Sequence, residues 1–257
     1  MESMKRSPLV DGLSIVRLLL ESKKPMGVTQ ISECLNTPKS STHRVLQSLK
    51  QLGFVEQRKT TSMYTINPVI FEFVNILASQ FGTSPHLEAP IREAANRLRC
   101  TGYLSMLGGI DTYVILGVGD EGNTSRLGTH GPAYATSVGK ILVAQLNEKE
   151  WPRYAPTKED DPISKYTNMD PDKFYLQLRE ARERGLAWNH RESSIDHVSV
   201  AAVVREPFVN PPRMAVAFLF SHKELLYYDH AEIEKEILAL ARKLESVLGV
   251  FDRSVHP

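Results

Sequence analysis

The sequence predicts an α+β protein in two domains, on three observations. Before residue 52, apolar residues recur at helical spacing in three short segments, and strand-like alternation follows. Beyond residue 84, helical and strand-like segments intermingle, with strands close enough in sequence to pair antiparallel. Charge is split as well: residues 1–83 hold ten Lys and Arg against six Asp and Glu, and the remaining 174 hold 21 against 24. A basic first third on an acidic remainder fits a small polyanion-binding module joined to something else.

Composition excludes several classes. With 257 residues, 42% hydrophobic and 24% charged, the chain can bury real cores and is not disordered throughout. No apolar run approaches the ~20 residues of a membrane span, and the opening MESMKRSPLVDGLS lacks the apolar centre of a secretory signal. Cys34 and Cys100 have no CxxC or Cys/His partner. A disulfide framework and a structural zinc are therefore not expected, and a cytoplasmic address fits.

Residues 8–21 carry Leu9, Leu13, Val16, Leu19 and Leu20 at helical spacing. The stretch 22–27 breaks the pattern. A short helix follows over 29–35, with Thr29 as its expected N-cap and Ile31, Cys34 and Leu35 on one side. Thr37 can cap the next helix, with Pro38 at its first position, where no amide partner is needed. That helix, 38–51, places Thr42, Val45, Leu46 and Leu49 on one face. Ser40, His43, Arg44, Gln47 and Gln51 lie opposite, and the segment holds no carboxylate. Gly53 stops it. Segments 54–58 and 62–66 read as two strands around a Lys59-Thr60-Thr61 turn. Three short helices and a hairpin with a basic tip make a winged helix-turn-helix, residues 1–67, whose third helix enters a major groove.

Residues 68–83 are expected to hold a linker helix, apolar around most of its circumference over 68–81. So greasy a helix must pack on another chain or between domains. Residues 84–257 form the second domain. Helices are expected near 86–99, 137–146, 172–184 and 229–248, and strands at 102–107, 113–118, 186–189, 198–204 and 214–221. Loops cover 120–132 and 152–171. Short turns between strands argue for a mostly antiparallel sheet with helices packed on it.

At three places the sequence resembles the IclR family of bacterial transcriptional regulators. The first is Pro38-Lys39-Ser40-Ser41-Thr42-His43-Arg44-Val45-Leu46 with Leu49 and Leu52-Gly53-Phe54-Val55. The second is Leu127-Gly128 followed by Pro132-Ala133-Tyr134-Ala135-Thr136-Ser137-Val138-Gly139-Lys140-Ile141-Leu142. The third runs from Gly185-Leu186-Ala187 through Glu192 to Val198-Ser199-Val200-Ala201-Ala202. The resemblance implies a winged-helix DNA-binding domain, a linker helix and a GAF/PAS-like effector domain. It also implies homodimers, or tetramers made of two dimers, on palindromic double-stranded operators, with small organic acids as effectors. Against the family's pattern, Tyr134 replaces a usual His, Asn189 a frequent Asp, Asp196 a usual Gly, and Leu219 a common Ser. Asn210-Pro211-Pro212 lengthens one hairpin.

Candidate residues follow. Lys39, Ser40, Ser41, His43 and Arg44 suit phosphate and base-edge contact, since Arg can take guanine bidentately and hydroxyls can reach phosphates. Arg58, Lys59 and Thr60 at the wing tip suit backbone contact, Thr29 and Gln30 complete the DNA-facing set, and Lys5 and Arg6 could form a phosphate-reaching arm. Ser137 and Val138 open a helix whose free amides can hold a carboxylate. Asn189, Ser199 and Ser221 are strand residues expected to orient a ligand, with His197 beside them. Met106, His130, Tyr134, Leu219 and Tyr103 are expected to line the apolar part. Such a lining favours an aromatic or bulky acid over a two-carbon one.

No cofactor, metal or catalytic residue is expected. The cluster His190, Glu192, Asp196 and His197 has metal-ligating types, but in strand and turn, where alternate residues point apart. No G-x-S-x-G or Cys/His arrangement is recognisable, and Gly108-Gly109 and Gly117-x-Gly119 have no helix behind them. The expected function is a ligand-responsive transcriptional regulator, preferably a repressor of a catabolic pathway. The alternatives are a small hydrolase or metal-dependent enzyme with a tethering N-terminal module, and a protein-interaction module.

Overall fold

The computed structural model describes residues 7–22, 24–80, 85–119 and 128–255. It divides into two compact units, residues 1–81 and 82–257.

The first unit begins with α1 (Pro8–Ser22), α2 (Val28–Cys34) and α3 (Lys39–Gln51), followed by the antiparallel pair β1 (Val55–Gln57) and β2 (Tyr64–Ile66). Met26 bridges to Tyr64 as a third, one-residue strand, in a stretch read from sequence only as a break. Ile15, Leu19, Ile31, Val45, Leu46, Val55 and Tyr64 form the core. The side of α1 that faces this core is Gly12, Ile15 and Leu19, of which Leu19 alone belongs to the run read from spacing. Leu9, Leu13 and Leu20 are 71%, 65% and 50% exposed. Two capping expectations also shift. The N-cap of α2 is Gly27, whose amide donates to Gln30 Oε1 at 3.0 Å, so Thr29 lies inside the helix. Pro38 is the N-cap of α3, and the Thr37 hydroxyl instead meets Thr42 Oγ1 at 2.7 Å. Helix α4 (Ile70–Gln80) closes the unit, with its Phe73 ring 5.1 Å from Phe54.

The second unit is built on six antiparallel strands in the order β5-β4-β3-β8-β7-β6. In chain order come α5 (Pro85–Arg97), β3 (Thr101–Gly108), β4 (Asp111–Val118), β5 (His130–Pro132), α6 (Ser137–Ala144) and α7 (Pro171–Arg184). Then come β6 (Leu186–His190), β7 (His197–Val204), β8 (Met214–Ser221), α8 (His222–Leu225) and α9 (His230–Val255). Strand β5 lies where a loop was expected, and residues 120–127 of that loop are outside the described residues.

Strand alternation gives the sheet two different faces. Leu104, Val198, Val200, Val216, Phe218 and Phe220 pack against α5 and α9. Tyr103, Ala201, Val203, Ala215, Ala217 and Leu219 share a cluster with side chains of α6 and α7. Small residues on this second face let α6 come close. Thr136 caps it by accepting the Gly139 amide at 3.0 Å. At Gly139 a Cβ would lie 2.2 Å from the Ala133 carbonyl oxygen, so only glycine fits where the helix start meets the 3-10 turn Ala133–Ala135. Helix α7 starts one residue before the expected bound: Asp170 caps it, Pro171 opens it, and Gly185 at φ 72° ends it.

Candidate DNA interface and ligand cavity

Helix α3 turns Thr42, Val45 and Leu46 inward. Lys39, Ser40, His43 and Arg44 are exposed on the other side, and Ser41 is half-buried. The polar rim is tied to the hairpin: Gln47 Nε2 donates to Tyr64 Oη at 3.0 Å, and Lys50 Nζ to Gln57 Oε1 at 3.4 Å. Burial raises the Tyr64 phenol above its ordinary range. At the hairpin tip Arg58, Lys59 and Thr60 are exposed, and the turn is closed by Arg58 N–H to Met63 O at 2.8 Å. Thr29 and Gln30 are exposed on α2. Lys5 and Arg6 lie outside the described residues.

In the second unit, a cavity of about 360 Å³ opens where the α6 N-terminus meets the sheet. His130, Val138, Asn189, His197, Ser199 and Leu219 line it, as does Tyr103. Ser137 stands just behind, its Oγ 2.8 Å from Ser199 Oγ and both side chains buried.

Besides Ser137, three expected residues do not line the cavity. Met106 shares strand parity with Leu104 and packs on the α5/α9 side. Tyr134 is held in the 3-10 turn at 7% exposure, inside the α6/α7 cluster. Ser221 ends β8 opposite His197 and begins the turn into α8. Without Tyr134 the wall is less aromatic than the sequence reading holds, and Val114, Pro132 and Ile163 supply apolar lining in its place.

The other newcomers are mostly polar. Ser105, Asp111, Thr112, Thr136, Ser193 and Ser194 all line the cavity and were not singled out from sequence. For Ser105 a signal existed: it shares parity with Tyr103, and Met106 does not. The others come from β4, the cap of α6 and the β6–β7 turn, which only the tertiary fold brings together.

These groups form a web. Thr112 Oγ1 lies 3.3 Å from Thr136 Oγ1 and donates to Gly131 O at 3.2 Å. Asn189 Nδ2 donates to Ala135 O at 2.9 Å and to Ser193 Oγ at 2.7 Å, while its Oδ1 accepts the Glu192 amide at 2.8 Å. Beneath the web, Lys140 Nζ pairs with Glu192 Oε1, both side chains almost wholly buried. Burial pulls the Lys140 ammonium below its ordinary range, and the Glu192 carboxylate opposes that shift. Asp111 and His130 face each other at the rim, 4.0 Å apart. The His190–His197 cluster does not converge: His190 stacks on Trp188 at 5.5 Å, and His197 Nδ1 meets Ser194 Oγ at 3.0 Å. Among the described residues no group of three or more His, Cys, Asp or Glu could hold a metal ion.

A helix-turn-helix unit with an open basic helix face, and a curled antiparallel sheet with a cavity of mixed polar and apolar lining, define a class of two-unit regulators. The family profile described as "IclR helix-turn-helix domain" matches residues 9–59, and "Bacterial transcriptional regulator IclR C-terminal" matches 86–246. The chain belongs to the IclR family of bacterial transcriptional regulators. It is 23% identical over 239 residues to the HTH-type transcriptional regulator KdgR of Escherichia coli, covering 91% of this chain and 89% of that protein. It is 25% identical over 215 residues to the transcriptional repressor IclR of the same organism, covering 78% and 76%. Among solved structures, an IclR homolog from Microbacterium hydrocarbonoxydans complexed with 4-hydroxybenzoate shares the fold, with TM-score 0.77, 16% identity and 95% and 100% coverage. An Alicyclobacillus acidocaldarius regulator shares it at TM-score 0.76, 20% identity and the same coverage. No helix among the described residues is long and apolar enough to cross a membrane.

Proposed function

We propose that this chain is a ligand-responsive repressor of a catabolic pathway, acting in the cytoplasm on double-stranded operator DNA and performing no catalysis. The observation that carries the reading is the exposed, carboxylate-free face of α3, with Lys39, Ser40, His43 and Arg44 standing clear of the winged-helix core. In a major groove those groups meet phosphates and base edges, and the basic wing tip Arg58–Lys59 meets the backbone. A homodimer, or a pair of dimers, sets half-site spacing. Support for self-association comes from the exposed side chains of Phe71, Phe73, Val74 and Ile76 on α4, and Leu9 and Leu13 on α1.

The effector is a small organic acid held in the cavity of the second unit. Its carboxylate meets the amides of Ser137 and Val138, which by position have no acceptor within α6. The 4-hydroxybenzoate carried by the Microbacterium hydrocarbonoxydans homolog supports a carboxylate ligand in this fold. To act, the acid must bind one arrangement of the DNA heads better than the other.

A gel shift on the DNA upstream of its own operon, with and without candidate acids, tests the scheme. Binding should fall steeply with salt. Arg44→Ala should weaken it by about 10–100-fold, in line with the ~1–3 kcal/mol of a bidentate base contact. Ser199→Leu should keep DNA binding and lose the acid response. Undiminished DNA binding by Arg44→Ala would overturn the interface.

A further inference from the structure

We infer that Gln47 is a positioning residue for DNA recognition: anchored on the wing by Tyr64, it holds the His43 imidazole so that Nδ1–H is the group offered to the duplex. This rests on the α3 interface proposed above.

Three observations carry it. The first is a difference among the exposed side chains of α3. Of Lys39, Ser40, His43 and Arg44, only His43 is bonded to another side chain among the described residues. Gln47 Nε2 lies 3.4 Å from His43 Nε2, one helical turn away. An amide nitrogen donates and does not accept, so the imidazole nitrogen is the acceptor there. A neutral imidazole that accepts at Nε2 carries its hydrogen at Nδ1.

The second is the anchor. Gln47 Nε2 gives its other hydrogen to Tyr64 Oη at 3.0 Å. Tyr64 is fully buried in the core of its unit. Its backbone is held on both sides, by Gln57 across the hairpin and by Met26, whose O accepts the Tyr64 amide at 2.8 Å and whose N–H donates to Tyr64 O at 2.9 Å. The chain of contacts from Tyr64 through Gln47 to His43 therefore starts from a fixed point.

The third is what this arrangement denies Gln47. Ser40, Arg44, Gln47 and Gln51 follow one another at spacings of four, three and four, so they share the outward stripe of α3. Spacing alone makes Gln47 a candidate to grip adenine, which needs the amide hydrogen and the carbonyl together. With both amide hydrogens directed at protein partners, that grip is closed, and the contact passes to His43. A ring held before binding loses less rotamer freedom when the contact forms. The acceptor it meets on the duplex is a guanine edge or a phosphate oxygen.

The test compares the full chain on the DNA upstream of its own operon and on an unrelated duplex of equal length. His43→Ala should weaken binding to the upstream DNA about three- to tenfold, and Gln47→Ala about threefold. In a His43→Ala background Gln47→Ala should add nothing, because it acts through that ring. Tyr64→Phe, which keeps the buried ring, should behave as Gln47→Ala does. Equal losses on the two duplexes mark a phosphate as the acceptor, and a loss confined to the upstream DNA marks a base edge. In the chain without DNA at pH 8, proton–nitrogen NMR should find the His43 hydrogen on Nδ1, and Gln47→Ala should move it toward Nε2. A merely structural hydrogen bond would leave that tautomer alone. Gln47→Ala costing as much in the His43→Ala background as outside it, or a hydrogen on His43 Nε2 in the unaltered chain, would overturn the inference. Arg44→Ala separates the two failures. If Arg44→Ala weakens DNA binding and the Gln47–His43 coupling is absent, the interface stands and only the positioning role is wrong. If Arg44→Ala leaves DNA binding undiminished, the interface itself fails.

Discussion

The two faces of the six-stranded sheet come from the same strands and are made of different material. Toward α5 and α9, Leu104, Val200, Val216 and Phe218 are sealed into an apolar layer. Toward α6, the alternate positions Ser105 and Ser199 meet a polar web, a buried ion pair and an open cavity. One residue's shift along a strand exchanges these environments. Stability and recognition can therefore be separated by position, and substitutions on the two faces should fail differently.

The largest effect should come from the sealed face. Phe218→Ala, at a fully buried position, should lower unfolding free energy by about 3–5 kcal/mol in a denaturant melt. Acid affinity per folded molecule should be unchanged, and a large affinity loss would show that the faces are coupled. Next comes the ion pair beneath the web. Lys140→Met leaves Glu192 buried and unpaired and should cost about 3–5 kcal/mol. Lys140→Met combined with Glu192→Leu should recover most of that stability, but not the acid response, because the turn that carries Ser193 after β6 loses one of its anchors.

The smallest effect concerns Cys100, which packs against the α5/α9 layer and whose thiol burial pushes from 9.0 up to about 12. The unfolded thiol loses its proton from pH 9 upward while the folded one keeps it. The folded state then binds more protons, so stability should fall as pH rises from 9 toward 12. At pH 10 the loss should be roughly 1 kcal/mol, read as a lower urea midpoint that Cys100→Ala does not show. At pH 8 a thiol reagent should find exposed Cys34 in the native protein and Cys100 only after unfolding.

Much of this was legible in the sequence, because local rules decide it. Helix α3, its inward Thr42, Val45 and Leu46, and its outward Arg44 follow from 3.6-residue spacing. Strands β6, β7 and β8 follow from their apolar runs. The cavity was legible only in part. Met106 was expected beside Tyr103, although period-two alternation keeps two residues three apart off one face; Ser105 was the position to choose. Tyr134 was misread because nothing in a short Pro-Ala-Tyr-Ala stretch distinguishes a buried 3-10 turn from a cavity wall. Strand β5 pairs over three residues, too few for any periodicity to register, yet it brings His130 to the rim. On α1 the apolar residues form two stripes, and spacing alone does not say which one the core takes.

Where Gly139 meets Ala133, there is no room for even a methyl group. The first turn of α6 is thereby wedged against the backbone of the segment before it, and through Pro132 that segment continues into the outermost strand of the sheet. A molecule drawing on the helix's leading amides thus pulls on helix, bend and strand as one stiff piece.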